Sequence, residues 1–467
     1  SMIKVPPVML GAPAQAELWP HSIWPGRIPG QLPVGLRMNN FFQVTGKNRN
    51  NFVFVPGGPA PTDPAIPRTD FETGLFSIFT AGNFGSGIAF WVDDDFSVAG
   101  ANSNGGLGDG YLRFVDLSRF VHLPKDSLSL RAGQFELDLP FSPARSWNLS
   151  GWDIYGQNNV GVPGLQFVNN VFTLDTGVQG VELSGGHHYG GYWYSFAVFN
   201  QNTSGNSANT NFVPNVTGAN FQSDSNFKDL YGHFQYRFNL ERDPKSRHEV
   251  QAAGATGPRD HTYLELGGFY LYGRSAQRVI GTSLTAATAC VVPAPECVLL
   301  TAHEPFYRVG ADFSFNYRTF NLFGQWIHGR DHNLVPVDAT LTPVDLTATP
   351  IPTTTVGFVH GSPATFTGGF VQADYLALPW MMLIMRYDAV NSRSDFLNGA
   401  FLTTQTTRNR YTPGVQFLIR ANIKASFEYQ IRPEQQIIGG TDPVTGATVN
   451  IPPFRVNTAV AGLEFVY

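Results

Sequence analysis

Polar side chains, several of them charged, recur at every second position within apolar stretches of this sequence. In residues 423–431, Lys424 and Glu428 alternate with Phe427 and Tyr429. Such a period of two puts the charges on one face of a β-strand and the apolar groups on the other. If strands of this kind close into a barrel in lipid, the charged face lines a water-filled interior. The predicted chemistry is therefore selection of solutes by fixed charges, as in pores.

The same parity along the chain gives a set of candidate pore-lining residues of mixed sign. An Arg or Lys facing lipid at mid-bilayer costs about 2–4 kcal/mol, so their sorting onto one face favours a polar lumen. The alternative is a ladder of interior salt bridges that only stabilises the barrel. The candidates are Asp93, Asp95, Arg113, Arg131, Arg145, Arg237, Arg308, Asp312, Arg386, Asp388, Arg420 and Glu428.

Two short motifs raise the question of metal binding. The acidic run at residues 93–95 offers the carboxylate oxygens that Ca²⁺ prefers, but no complete ligand loop surrounds it. His187 and His188 lie in a predicted tight turn without further zinc ligands nearby. A solvated acidic strand end and an ordinary turn are the favoured interpretations, so we predict no metal site.

The chain has two cysteines, Cys290 and Cys297, in the Pro-containing segment CVVPAPEC. Their closeness within a predicted long loop favours a local disulfide, which requires an oxidising compartment. Two free thiols are the alternative. The sequence contains no G-x-S-x-G, no H-E-x-x-H and no phosphate-binding glycine loop. We therefore predict no enzymatic activity and no cofactor.

Composition narrows the class of protein. Charged residues make up 14% of 467 residues and aromatic residues 13%, while mean hydropathy is only -0.11. A helical membrane protein would show apolar runs of about 20 residues, and none is present. The net charge of -5 without a basic cluster excludes nucleic acid as a partner. The 24 Arg against 6 Lys suit a permanently charged lining, although high-GC coding explains the same bias. A secreted β-sandwich or β-helix shares this composition.

The connections between predicted strands favour the barrel over the sandwich. Short turns alternate with long polar segments, as periplasmic turns alternate with external loops in outer-membrane barrels. Counting back from Tyr467 predicts an all-β, transmembrane, antiparallel up-and-down barrel of about 16 strands over residues 35–467. Residues 165–174 and 240–260 fit this count poorly, so the expected range is 14 to 18. The long segments are 201–227, 275–303, 331–363, 391–408 and 433–453.

Two other segments stand apart. Residues 139–176, rich in Pro and Trp, form the longest predicted connection. This segment could fold into the lumen, and an external cap or surface helix is the alternative. Residues 1–34 are Pro-rich and apolar without alternation, which excludes a regular helix or ladder. We interpret them as a periplasmic arm or plug.

The C-terminal sequence AVAGLEFVY resembles the assembly signal of outer-membrane barrels. Leu463, Phe465 and Tyr467 share one face and end in an aromatic residue, although Tyr stands where Phe is usual. This resemblance implies recognition by the barrel-assembly machinery.

Residues 131–142, RAGQFELDLPFS, resemble the strand and third loop of the phosphate-selective porin O/P-like family. The resemblance implies a 16-stranded trimeric porin with an inward third loop and an anion path lined by Arg and Lys. The few lysines of this chain depart from that lining, so we carry over the architecture alone.

The sequence therefore predicts a bacterial outer-membrane porin that passes small hydrophilic solutes or ions. Two alternatives remain open at this point. The barrel could sheathe a periplasmic partner such as a multihaem cytochrome, docked by the N-terminal arm, or it could be a structural or adhesive surface protein. The expected partners are outer-membrane lipid, small hydrophilic solutes and a homotrimeric assembly.

Overall fold

A computed structural model describes the strands of the chain and part of its connections. Only the residues in the ranges that follow are discussed. These are 34–45, 68–83, 87–96, 106–142, 150–157, 174, 177–186, 191–200, 227–240, 262–280, 299–331, 334–337, 357–361, 363–393, 396–397, 400–401, 408–420, 422–432, 439–441, 448–450 and 457–466.

Sixteen antiparallel strands form one closed barrel, in which the first strand pairs with the last. The predicted fold class and the predicted count of 16 are confirmed. In chain order the barrel strands are β1 (Val34–Thr45), β2 (Arg68–Asn83), β3 (Ile88–Phe96), β4 (Gly106–Phe114), β5 (Ser129–Glu136), β6 (Gly177–Gly186), β7 (Gly191–Asn200), β8 (Lys228–Asn239), β9 (Tyr263–Ile280), β10 (Leu299–Tyr317), β11 (Phe320–Asp331), β14 (Ala364–Leu378), β15 (Met381–Ser392), β18 (Arg408–Arg420), β19 (Ile423–Gln430) and β22 (Thr458–Val466).

Six short strands lie in the long connections, outside the barrel. They pair as β12 (Leu334–Val337) with β13 (Gly357–His360), and as the sheet β16 (Phe396–Leu397), β17 (Ala400–Phe401), β20 (Gly439–Thr441) and β21 (Thr448–Asn450). One short helix, α1 (Asp153–Gln157), follows β5. Within the described ranges, no helix is both long and apolar enough to cross a membrane.

Short and long connections alternate around part of the barrel, but the predicted order fails twice: residues 115–128 between β4 and β5 outnumber residues 97–105 between β3 and β4, and residues 240–262 between β8 and β9 outnumber residues 281–298 between β9 and β10. The β10–β11 hairpin shows the short type: Tyr317 pairs with Phe320, and only Arg318 and Thr319 connect the strands. Arg318 has a φ of 51°, the left-handed conformation that tight hairpins commonly need. The barrel closes without residues 165–174, most of which fall outside the described ranges.

Two strand boundaries depart from what the local sequence indicates. β4 ends at Phe114, and a 3₁₀ turn follows at Ser118–Phe120. Hydrogen bonds from Ser118 lower the pKa of the Asp116 carboxyl, and this local bonding competes with strand pairing. In the opposite sense, β9 and β10 extend into a predicted loop, because residues up to Ile280 pair with residues from Leu299.

The outward face of the barrel is apolar and carries two aromatic belts. Tyr307 and Tyr317 lie at opposite ends of this face on β10, and usual strand rise and tilt put them ~26 Å apart along the membrane normal. This matches the lipid-facing band of an outer-membrane barrel, and the chain is therefore a bacterial outer-membrane protein. The belt near the short turns includes Tyr192, Tyr194, Tyr236, Phe238, Tyr317 and Trp380, and the other includes Tyr270, Tyr307, Trp326, His328, Tyr387 and Tyr411.

The inward face is polar along the same strands. On β8, Asp229 and His233 are buried at 1% and 4% exposure, whereas Leu230 and Phe234 are exposed at 37% and 53%. Because successive side chains of a strand point to opposite faces, the buried polar residues face the barrel interior. The charges that alternate in the sequence therefore lie inside the barrel.

Candidate functional site

The segment after β5, described over residues 137–142 and 150–157 and called the crossing segment below, reaches the opposite side of the barrel. In the ring of sixteen strands, β5 and β15 are eight neighbours apart in either direction, so they face each other. Nevertheless, Ser150 accepts hydrogen bonds from Arg386 of β15 through its carbonyl oxygen at 3.0 Å and its hydroxyl at 2.5 Å. Arg410 of β18 donates to the carbonyl oxygen of Gly151 at 2.7 Å.

Asp388 is the centre of these contacts. Its side chain is fully buried, and its carboxylate accepts a hydrogen bond from the backbone N–H of Asp153 at 3.1 Å. The Nε of Arg386 lies 2.9 Å from Asp388 Oδ2, and Nη2 of Arg410 lies 3.3 Å from the same oxygen. Arg410 is also 3.3 Å from the Asp153 carboxylate. The cluster ties the start of α1 to two strands of the far wall.

Aromatic packing extends the same contact. Trp152 stacks on Phe370 of β14 with ring centroids 4.6 Å apart, and Phe141 lies 4.9 Å from Phe323 of β11. The Tyr155 hydroxyl lies within hydrogen-bond distance of two groups, the carbonyl oxygen of Phe141 at 2.8 Å and the side-chain amide of Gln325 at 2.5 Å. These residues belong to a buried apolar cluster that also contains Phe135, Leu137, Leu139, Ile154, Leu174, Val178, Ala197, Phe199, Tyr231, Phe269, Leu271, Phe306, Ile327, Ala364, Phe366 and Val390.

On the side of the barrel near β5, strands β7 and β8 bind the beginning of this segment through Asp138. Trp193 Nε1 donates to the Asp138 carboxylate at 2.8 Å, and His233 Nδ1 lies 3.2 Å from the same oxygen. The Tyr231 hydroxyl donates to the Asp138 backbone oxygen at 2.8 Å. On its other side, His233 Nε2 lies 3.9 Å from Asp312 of β10. The segment is thus fixed at both walls.

Most predicted lining arginines have acidic partners. Arg131 of β5 contacts Glu182 of β6 at 2.6 Å, and Arg237 of β8 contacts Glu265 of β9 at 2.7 Å. Arg308 is fully buried and donates two hydrogen bonds to Asp331 at 2.8 and 2.9 Å. These distances are those of charge-assisted hydrogen bonds.

The strands that close the barrel carry a further ion-pair group. Glu464 of β22 contacts Arg37 of β1 at 3.0 Å and also pairs with Lys424 of β19. The predicted residue Glu428 lies on the same face of β19 and accepts a hydrogen bond from Gln430 at 3.0 Å. Arg37, Lys424 and Glu428 are half-buried, whereas Glu464 is buried.

The other predicted lining residues differ in position. Arg113 is half-buried and donates to Ser129 at 3.3 Å, while Asp93 accepts a hydrogen bond from the Asp109 backbone. The strand register pairs Asp95 with Ser77 on β2. Arg420 is the exposed last residue of β18, beside a turn, so it lies at the barrel end. Arg145 falls outside the described residues.

Several residues of the contact network were not among the sequence candidates. His233 and Arg410 do lie on polar faces of alternating strands, so parity alone could have included them. Asp138 and Asp153 lie in the connection after β5, where no period exists, and no sequence signal assigns their partners.

The remaining motif predictions have limited structural coverage. Cys290, Cys297, His187 and His188 fall outside the described residues, so the disulfide stays a prediction. In the part of the chain with described positions, no three His, Cys, Asp or Glu side chains are grouped to hold a metal. At the C-terminus, Leu463 is 46% exposed on the outward face of β22, which Phe465 shares by strand parity, while Tyr467 is outside the described ranges.

No protein-family model and no curated protein matches this chain. Among solved structures, it is similar to the outer membrane channel DcaP of Acinetobacter baumannii, with 10% identity, a TM-score of 0.47, and 94% of this chain and 97% of that chain covered. It is also similar to the anion-selective porin from Comamonas acidovorans, with 10% identity, a TM-score of 0.48, and 94% and 100% covered. OprB of Pseudomonas putida gives 9% identity, a TM-score of 0.48, and 93% and 94% covered. Similarities this distant carry no argument about what this chain transports.

Proposed function

We propose that this protein is a porin-like channel for passive diffusion of small hydrophilic solutes or ions. The observation that carries the proposal is the opposition of two faces: an apolar outer surface with aromatic belts and an inner surface of charged and amide side chains. A barrel that only anchors a surface protein has no need of a polar interior. The polar groups of the inner face need water or a protein partner, because an unpaired polar group is costly in an apolar interior. A water-filled lumen supplies that water.

The segment after β5 would form the constriction of this channel. Its contacts with Asp388 and Arg410 on one wall and with Trp193 and His233 on the other support a position across the lumen. Permeation would then run beside the segment, along the inner faces of β1, β3, β4 and β19, where Arg37, Asp93, Arg113, Lys424 and Glu428 are half-buried. This arrangement limits solute size without a moving part.

We propose weak charge selectivity rather than a path for phosphate. Arg131, Arg237, Arg308 and Arg386 each lie within 3.0 Å of a carboxylate, which cancels most of their field. An anion path of the kind implied by the O/P-like resemblance needs cations that face the solute. The mixed inner charges instead suit a transverse field that orients dipolar solutes.

The alternative function, a barrel that surrounds a partner protein, fits these contacts less well. Trp152 and Tyr155 pack against the far wall in the barrel interior, where a partner protein would have to fit. We also propose a homotrimer, a docking role for residues 1–34 and recognition by the barrel-assembly machinery. Cross-linking of the purified protein tests the homotrimer.

Planar-bilayer recording of the purified, refolded protein tests the channel proposal. We expect discrete, ohmic current steps in KCl, and a reversal potential close to zero in a KCl gradient. The control is the same preparation after heat unfolding. Insertion without current, together with a co-purifying haem absorbance, would contradict the channel and favour the sheath. A large reversal potential of anionic sign would contradict weak selectivity alone.

A further inference from the structure

Three aromatic side chains form a row on the inner face of adjacent strands. Phe79 of β2 and Trp91 of β3 have ring centroids 5.5 Å apart and planes within 13° of each other. Trp91 is paired with Tyr111 of β4 in the strand register. Their parity is inward, because Tyr111 is two residues from Arg113, which donates to the buried Ser129. We call Phe79, Trp91 and Tyr111 the aromatic row.

The aromatic row leaves part of its ring surface exposed inside the barrel, although Tyr111 also packs against the buried apolar cluster. The inner-face rings Phe323 and Phe370 are 2% and 3% exposed because Phe141 and Trp152 cover them. All three members of the row are instead half-buried. Exposed apolar surface in a polar lumen is unfavourable unless a ligand covers it, so such a patch indicates binding.

Glycines let the row lie close to the barrel wall. The Phe79 ring lies over Gly35, where an added Cβ would be 2.2 Å from the ring. Tyr111 is paired with Gly133, which has no side chain to cover the phenol ring. The Arg131 guanidinium lies 5.1 Å from the centre of that ring. The strands thus present a shallow aromatic surface beside the crossing segment.

Polar groups of both signs flank the aromatic row. Asp93 follows Trp91 by two residues on β3 and supplies hydrogen-bond acceptors on one side. Arg113 follows Tyr111 by two residues on β4 and supplies donors on the other. Arg113 also donates to Ser129 at 3.3 Å, which holds its guanidinium on the inner face. A ligand for this site needs a flat apolar face and edges that both donate and accept hydrogen bonds.

We propose that the aromatic row is a binding subsite for sugars, a step that rests on the channel function proposed above. A pyranose ring has an apolar face of C–H groups that stacks on aromatic rings, and hydroxyls that bond to carboxylate and guanidinium groups at its edge. An aromatic carboxylate would also stack, but its edge could only accept hydrogen bonds, whereas sugar hydroxyls can donate to Asp93 and accept from Arg113. The row therefore favours a neutral sugar on its way to the constriction.

Current block by maltotriose tests the proposal in single channels. We expect maltotriose to interrupt the KCl current, and Trp91→Ala to weaken its binding about 2- to 10-fold, the usual range for one aromatic contact. Trp91→Phe should restore part of this loss. Trp326→Ala removes the same side chain from the outward face, 47% exposed, and should leave maltotriose binding unchanged.

The remaining outcomes distinguish failure of the sugar subsite from failure of the channel proposal. Normal KCl current without block by maltotriose, or block by benzoate alone, would overturn the sugar subsite while the channel proposal stands. If the wild type carries no current, the channel proposal fails, and calorimetric titration of the detergent-solubilised protein with maltotriose decides the subsite separately. If Trp91→Ala does not fold, Arg113→Met takes its place, with the same expected weakening. Equal maltotriose binding by the wild type and these variants would also overturn the subsite.

Discussion

Substitution of Asp388 by alanine should release the crossing segment from the far wall. Asp388 is fully buried, accepts from the Asp153 N–H and lies within 3.3 Å of two guanidinium groups. Removing one partner of a buried ion pair costs about 3–5 kcal/mol. Arg410 keeps the Asp153 carboxylate at 3.3 Å, so we expect the lower end of this range. A loss of ~3 kcal/mol raises the detached population about 100-fold.

Hydrogen exchange measured by mass spectrometry on a peptide covering residues 150–157 detects this release. The amides of α1 should exchange faster in Asp388→Ala than in the wild type, and Asp388→Asn, which keeps an acceptor for Asp153, should lie between them. Asp116→Asn changes a carboxylate outside the barrel strands and serves as the control. Unchanged exchange in Asp388→Ala, with intact β-sheet circular dichroism, would refute the anchoring role that we assign to this carboxylate.

Two further results follow from the same geometry, and a third follows from the sequence. Arg308→Ala leaves a buried carboxylate without its bidentate partner, so it should destabilise the barrel by about 3–5 kcal/mol in urea titrations. Phe234→Arg places a charge on the lipid-facing side and should cost about 2–4 kcal/mol in vesicles, whereas Gln235→Arg, facing inward, should cost clearly less; equal costs would contradict the assignment of faces. Alkylation without reductant should leave Cys290 and Cys297 unmodified if they form a disulfide, and a mass increase at both would show free thiols.

The local sequence predicted the strands well where one residue in two is apolar. Residues 423–431 show the clearest alternation, and β19 spans Ile423–Gln430. Prediction was weakest where strands lack this period. The C-terminal part of β9 contains Arg274 and Arg278 and lies in a segment whose sequence is typical of a loop. Pairing with β10 nevertheless keeps this part in the sheet. Such pairing depends on a partner far away in sequence, so no local pattern reports it.

The candidate site was predicted in type but only partly in detail. Parity identified Arg386 and Asp388 as inward charges, because facing lipid would be costly. Parity did not indicate that Arg386 contacts Ser150 and that Asp388 contacts Asp153, two residues of the segment that comes from the other side of the barrel. Arg420 has inward parity as well, but its position at the end of β18 leaves it exposed.

The aromatic row shows the same division. Its three members were not predicted as a site, since Phe79, Trp91 and Tyr111 lie on three strands with no shared motif. Only the register of β2 with β3 and of β3 with β4 brings them side by side. A single-residue slip of either pair would turn one ring outward to the lipid.

By itself, the sequence determined that this protein is an outer-membrane barrel with a polar interior. Alternation with a period of two is a local property, and the bilayer requires every strand to obey it. The tertiary structure decided which charges meet and where the segment after β5 packs. Those contacts join the segment after β5 to strands six to eight positions away around the ring, and only closure of the barrel brings these strands opposite β5.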